Sequence, residues 1–103
     1  MEQYLFNSSG EWIAFRDGKY IYDVHGEFLG FMAEGGADVA DIESRYFASI
    51  YYGDRLYRKV FPPALELRYP GYPGTHARPD FPGFAESAPV PTEADDIPEL
   101  VTA

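Results

Sequence analysis

A chain of 103 residues has room for one domain, and 46% hydrophobic with 17% aromatic residues can build a core if most of the chain takes part. The formal net charge of -9 repels phosphate backbones, so neither nucleic acid nor an anionic membrane surface is an expected partner. The absence of cysteine excludes a disulfide framework and thiol chemistry, and with no spanning apolar run and no signal-peptide pattern at the start a cytoplasmic location is expected.

Over residues 1–60 turn signals recur every few positions, apolar residues alternate between them and no helical stripe is present, which predicts an all-β domain. Strands are expected near residues 4–7, 11–16, 19–23, 27–33, 37–41, 45–52 and 55–60. The first link is "NSSGEW" at 7–12, and the second is "RDGKY", where Asp17-Gly18 supplies the positive φ angles of a two-residue hairpin turn. "DVHGEF" at 23–28 repeats the first turn, Glu34-Gly35-Gly36 makes the next, "DIESRY" at 41–46 repeats the first turn more loosely, and Tyr51-Tyr52-Gly53-Asp54 makes the last.

Aligning the repeated turns stacks Leu5, Ile21, Val39 and Leu56 in one column, at steps of 16, 18 and 17 residues. Asn7, Asp23 and Asp41 form the next column, where an Asx side chain caps the amides of its own turn. Gly10 and Gly26 close the first two turns, and Ser44 in the third predicts a looser one. Trp12, Phe28 and Tyr46 then align, followed by Ile13, Leu29 and Phe47 and by Ala14, Gly30 and Ala48. Simple strand alternation puts the aromatic and small residues on one face and Ile13, Leu29 and Phe47 on the other. The small column predicts close approach of strands, so the expected architecture is a small antiparallel repeat domain of short hairpin units around a pseudo-symmetry axis.

The stretch "LFNSSGEWIAFRDGKYIYDVHGEFLGF", the third unit "VADIESRYFASI", "GDRLY" and the later "YPGYPG" resemble the four-fold beta flower family, small bacterial proteins, over roughly residues 4–74. The third unit lacks the usual glycine turn. "YDVHG" alone is also similar to the tyrosine-aspartate repeats of large bacterial surface and toxin proteins. The family's activity is unassigned, so this resemblance implies a fold and no mechanism.

All nine prolines lie from Pro62 onward, whereas 13 of the 18 aromatic residues lie within the first 60 positions. Proline cannot donate to a sheet ladder, so the β-repeat domain is expected to occupy residues 1–61. Residues 62–86 form a Pro/Gly/aromatic segment with Tyr-Pro-Gly at 69–71 and 72–74 and Phe-Pro-Gly at 81–83, expected to dock on an aromatic surface. Within it only "PPALELRY" could add a strand or short helix. Residues 87–103 read as an acidic flexible tail.

His25 beside Asp23, His76 near Asp80, and the equivalent Glu11 and Glu27 are the residues from which catalysis could be built. None stands in a nucleophile, metal-helix or phosphate-loop pattern, so no catalytic residue, cofactor site or metal ligand is assigned and the chain is not expected to be an enzyme. A cation ring from Asn7, Asp23 and Asp41 is the alternative to turn capping, weakened by Arg58 in the fourth slot. The aromatic excess is the strongest functional signal. Trp12, Tyr46, Tyr51, Tyr52 and Tyr57, with Tyr69 and Tyr72 of the tail, make the expected interaction surface. The expected function is a non-enzymatic interaction or structural module that forms homo-oligomers or binds another protein. The alternative is a small-ligand or carbohydrate-binding protein using an exposed aromatic face.

Overall fold

The structure, a computed structural model, describes residues 2–65 and 67–100 and is all-β, with no helix among those residues. Its strands are β1 (Glu2–Phe6), β2 (Trp12–Asp17), β3 (Tyr20–Asp23), β4 (Phe28–Met32), β5 (Asp38–Ala40), β6 (Tyr46–Tyr51), β7 (Arg55–Lys59) and β8 (Ala94–Asp95). The first seven fall within two residues of the expected boundaries. They pair antiparallel in sequence order, and β1 meets β7 to close a barrel, with β8 paired antiparallel to the C-terminal end of β7. An odd number of alternating strands leaves the first and last pointing the same way. The closing pair is therefore parallel, Phe6 opposite Arg55, and the Phe6 amide donates to the Asp54 carbonyl at 2.8 Å.

The core explains the large and small columns. Leu5 lies opposite Ala14, Ile21 opposite Gly30, and Val39 opposite Ala48, so each pair places one bulky group against one small one. A Cβ on Gly30 would lie 2.1 Å from the Ala40 carbonyl oxygen, which leaves room for glycine alone. Immediately after each pair the register slips, and Phe6 faces Trp12, Tyr22 faces Phe28 and Ala40 faces Tyr46. Ile13, Leu29 and Phe47 are the extra residues of three β-bulges.

A bulge breaks the two-residue alternation, and this corrects the face assignment made from sequence. Ile13 and Ala14 both join the inner cluster with Leu5, Ile21, Val39, Ala48, Leu56 and Ile97, and Leu29 and Phe47 pack against it. Trp12 instead lies in a second cluster with Phe15, Tyr22 and Val24, to which Tyr4, Phe6, Tyr20 and Phe28 add their rings. The barrel thus has two apolar surfaces, and the second needs a cover.

The tail supplies it. Tyr69 packs on Phe31 and Phe28 of β4, His76 on Tyr22 of β3 and Phe15 of β2, and Phe81 on Trp12 of β2. Ala88 then donates to Ser8, Tyr57 of β7 donates to Pro89, and β8 pairs with β7. The segment from 87 to 100, which composition assigns to a flexible end, runs against the barrel. Its acidic average hides Ala94 and Ile97, which are buried, and Ile97 enters the inner cluster. Asp96 accepts from the Ser8 amide at 2.9 Å and from the Ser8 hydroxyl. The possible element in "PPALELRY" does not form over 62–65 or 67–69; Glu66, like residues 101–103, lies outside the described residues. The Cα radius of gyration, 12.7 Å, matches the roughly 13 Å of a single globule of this length, tail included.

Candidate functional site

The three repeated turns share one hydrogen-bond pattern. Asn7 Oδ1 accepts from the amides of Ser9 and Glu11, Asp23 Oδ1 from His25 and Glu27, and Asp41 Oδ1 from Glu43 and Arg45, all between 2.8 and 3.1 Å. Each of these oxygens is engaged by its own turn. Ser44 adopts φ 62° and makes the same Ser44-to-Asp41 bond, 3.0 Å, that Gly10 and Gly26 make at 3.1 Å. The third turn is therefore as tight as the others, and the expectation of a looser one is corrected.

Glycine in the first two turns has a separate cause. The Ala85 amide donates to the Gly10 carbonyl and the His76 amide to the Gly26 carbonyl, both at 2.9 Å. A Cβ at either glycine would sit 2.0 Å from the carbonyl oxygen of the tail residue it pairs with. These two turns are contact points for the tail as well as strand connections. The difference between Gly10, Gly26 and Ser44 is the one sequence signal that could have placed the tail there.

The seven aromatic residues expected to form one interaction surface are dispersed. Trp12 is 1% exposed, covered by Phe81 and by the Arg78 guanidinium 5.7 Å from its ring, while its indole N–H donates to the Ala14 carbonyl at 2.7 Å. Tyr57 is fully buried, and burial raises its phenol above the ordinary range. Tyr51 packs between Tyr52 and Tyr57 and is half-buried. Tyr46 joins a polar network: its hydroxyl bonds Ser49 Oγ at 2.7 Å, Ser49 donates to Asp38 at 2.6 Å, and Lys59 Nζ approaches Asp38 at 3.3 Å. Tyr52, Tyr69 and Tyr72 are exposed. The outer aromatic face thus exists, and the chain's own tail occupies it.

His76 is the chemical centre of that tail. Its ring packs on Phe15 and Tyr22 with centroids 5.1 and 5.0 Å away, Nδ1 lies 2.7 Å from the Ala77 carbonyl, and Nε2 lies 2.8 Å from Asp17 Oδ2. Glu2 Oε2 is 4.0 Å from the same nitrogen. The Ala77 bond and then the Asp17 bond hold the His76 pKa above its ordinary value, and the imidazole lowers that of Asp17. Spacing in the sequence pairs His76 with Asp80, but the fold pairs it with Asp17, 59 positions away. His25 is exposed on its turn.

Both nitrogens of His76 face oxygen atoms, so neither is presented to a nucleophile or a substrate proton. Two shallow grooves open elsewhere. One of about 380 Å³ is lined by Lys19, Phe31, Met32, Glu34, Leu67, Arg68 and Pro70, and one of about 330 Å³ by Arg45, Tyr46 and residues 62–65. Neither is lined by Ser49, Asp38 or His76. No protein-family model, curated protein or solved structure matches this chain.

Proposed function

We propose that this chain is a non-enzymatic interaction module of the beta flower type, which associates with a second copy of itself through the outward edge of its docked tail. The observation that carries the reading is the exposure of tail aromatics while their segment is held on the barrel: Tyr72 is 62%, Phe81 56% and Phe84 73% exposed. Phe81 and Phe84 stack edge to face at 5.7 Å, and Phe81 bridges inward to Trp12. An aromatic ridge fixed at its base loses little conformational freedom on binding, and apolar rings presented together mark association surfaces. Such a surface pairs most simply with itself about a two-fold axis. A net charge of -9 opposes that pairing, so it strengthens as salt screens the repulsion.

Sedimentation velocity over a concentration series tests this. The wild type shifts from monomer toward dimer, more so at high salt, and Phe84→Ser or Phe81→Ser stays monomeric with unchanged far-ultraviolet circular dichroism. A wild type that remains monomeric throughout refutes self-association.

A second reading, a small-ligand protein, draws on the 380 Å³ groove, where Lys19 and Arg68 stand beside Phe31 and Met32. That combination suits a carboxylate with an apolar body. A thermal-shift screen of aromatic and short-chain acids against wild type and Arg68→Ser tests it, and a flat result for every acid removes it.

A further inference from the structure

The tail repeats as the barrel does, and the two repeats match. Tyr72-Pro73-Gly74 and Phe81-Pro82-Gly83 each begin a five-residue segment of one geometry. In each, the first ring packs on the aromatic residue two places after a turn glycine, Tyr72 on Phe28 at 5.9 Å and Phe81 on Trp12 at 6.1 Å. The segment's own glycine has the positive φ that a Pro-Gly bend requires, 89° at Gly74 and 85° at Gly83. The fifth residue then donates its amide to the carbonyl of the turn glycine, His76 to Gly26 and Ala85 to Gly10, both at 2.9 Å. Tyr69-Pro70-Gly71 has Pro73 in its fifth place and so no amide to give. In the third barrel turn, Ser44 carries a Cβ where the docked residue's carbonyl oxygen lies at the other two, so that turn is closed to such a segment.

We infer that the Gly10 and Gly26 turns are two receiving sites for aromatic-Pro-Gly-x-x segments, and that a second copy of the chain supplies them, its tail crossing in exchange. The fit joins backbone shape to two rings and holds whichever barrel the segment is covalently attached to. Residues 60–68 link β7 to the first docked ring, and extended they span roughly 30 Å. That is close to the molecule's largest extent, 34 Å, so the tail can reach a neighbour's face. Pro62 and Pro63 bias this link toward extended backbone. The inference goes beyond the ridge contact proposed above and does not rest on it.

Two full-length variants test it by complementation, each with Phe84→Ser so that the ridge cannot associate. One carries Gly10→Ser and Gly26→Ser, which copy the third turn and close both sites. The other carries His76→Pro and Ala85→Pro, which remove both amides. Each alone sediments as a monomer, and refolded together they form a one-to-one complex. A synthetic peptide of residues 69–86 binds the second variant saturably, and N-methylation at the His76 and Ala85 amides weakens it by about 100-fold. Wild type takes up the same peptide only at about millimolar concentration, the order of the effective concentration of its own tethered tail. Folded variants that form no complex, or a peptide indifferent to N-methylation, overturn the inference. Where a variant loses the far-ultraviolet circular dichroism of the barrel, wild type decides, and no uptake of peptide at about millimolar concentration overturns the inference equally.

Discussion

Gly26→Ala probes the docking of the tail more directly than any truncation, because it adds one methyl group. Gly26 has φ 88°, and its new Cβ would lie 2.0 Å from the His76 carbonyl oxygen and 3.1 Å from its carbon. Gly53→Ala is the matched control, with φ 82° and nothing within 4 Å of the added atom. Left-handed strain alone costs roughly 1 to 2 kcal/mol for a residue with a side chain, and this applies to both variants. Only Gly26→Ala must also push the tail backbone away by more than an ångström. The tail then loses the 2.9 Å bond from His76 to Gly26 and shifts its ring from Phe15 and Tyr22, a further cost of about 1 to 3 kcal/mol. For a domain of this size each kcal/mol lowers the melting temperature by about 4 to 8 °C. Thermal melting should place Gly26→Ala at least about 4 °C below Gly53→Ala, and trypsin should cut it faster at Arg68, which Tyr69 follows. Equal melts and equal cleavage in the two variants would refute the argument that the turn glycines are docking points.

Three other outcomes follow from the same structure. Asp23→Ala removes an oxygen that accepts from the His25 and Glu27 amides and should destabilise by about 0.5 to 2 kcal/mol in denaturant melts, equally in calcium and in chelator. Ile97→Ala deletes a buried group from the inner cluster and should cost about 2 to 5 kcal/mol by the same assay, where an unanchored tail end would give no change. Arg58 donates twice to Glu99, at 2.6 and 3.1 Å, and holds that carboxylate below its ordinary pKa. The contribution is therefore present above the unfolded carboxylate pKa and is lost as pH falls through the lowered folded value; because the pair is half-exposed it amounts to less than about 1 kcal/mol. Wild type should melt slightly above Glu99→Gln at neutral pH and level with it in acid.

The seven barrel strands were readable because their signals are local. Asp17-Gly18, the Asx turns and alternating apolar residues each specify geometry within a few positions, and Leu5, Ile21, Val39 and Leu56 were placed in one column that is buried throughout. The faces were misread at Ile13, Leu29 and Phe47, because a bulge depends on the partner strand and leaves no mark in its own composition. Ile97 was lost in an acidic average, and His76 was matched to a neighbour in sequence when its partner lies 59 residues away. The aromatic excess was legible as a surface, but its occupant was not, since Trp12 reads identically whether Phe81 or a foreign molecule covers it.

The direction in which the tail travels has a consequence for synthesis. It meets β4 first and then β3, β2 and β7, the reverse of the order in which the ring is laid down, and near its end Ile97 enters a cluster drawn from both ends of the barrel. The track it follows is complete only after Phe6 and Arg55 have met. Closure must therefore precede wrapping, and wrapping waits for residues that are synthesised after all seven barrel strands. At about 5 to 20 residues per second, the nascent barrel carries Trp12, Phe15 and Tyr22 uncovered for on the order of seconds. During that interval a neighbouring chain's tail can take the place of its own, so dense polysomes would favour exchanged tails, whereas slow refolding of dilute chains would favour self-wrapped ones.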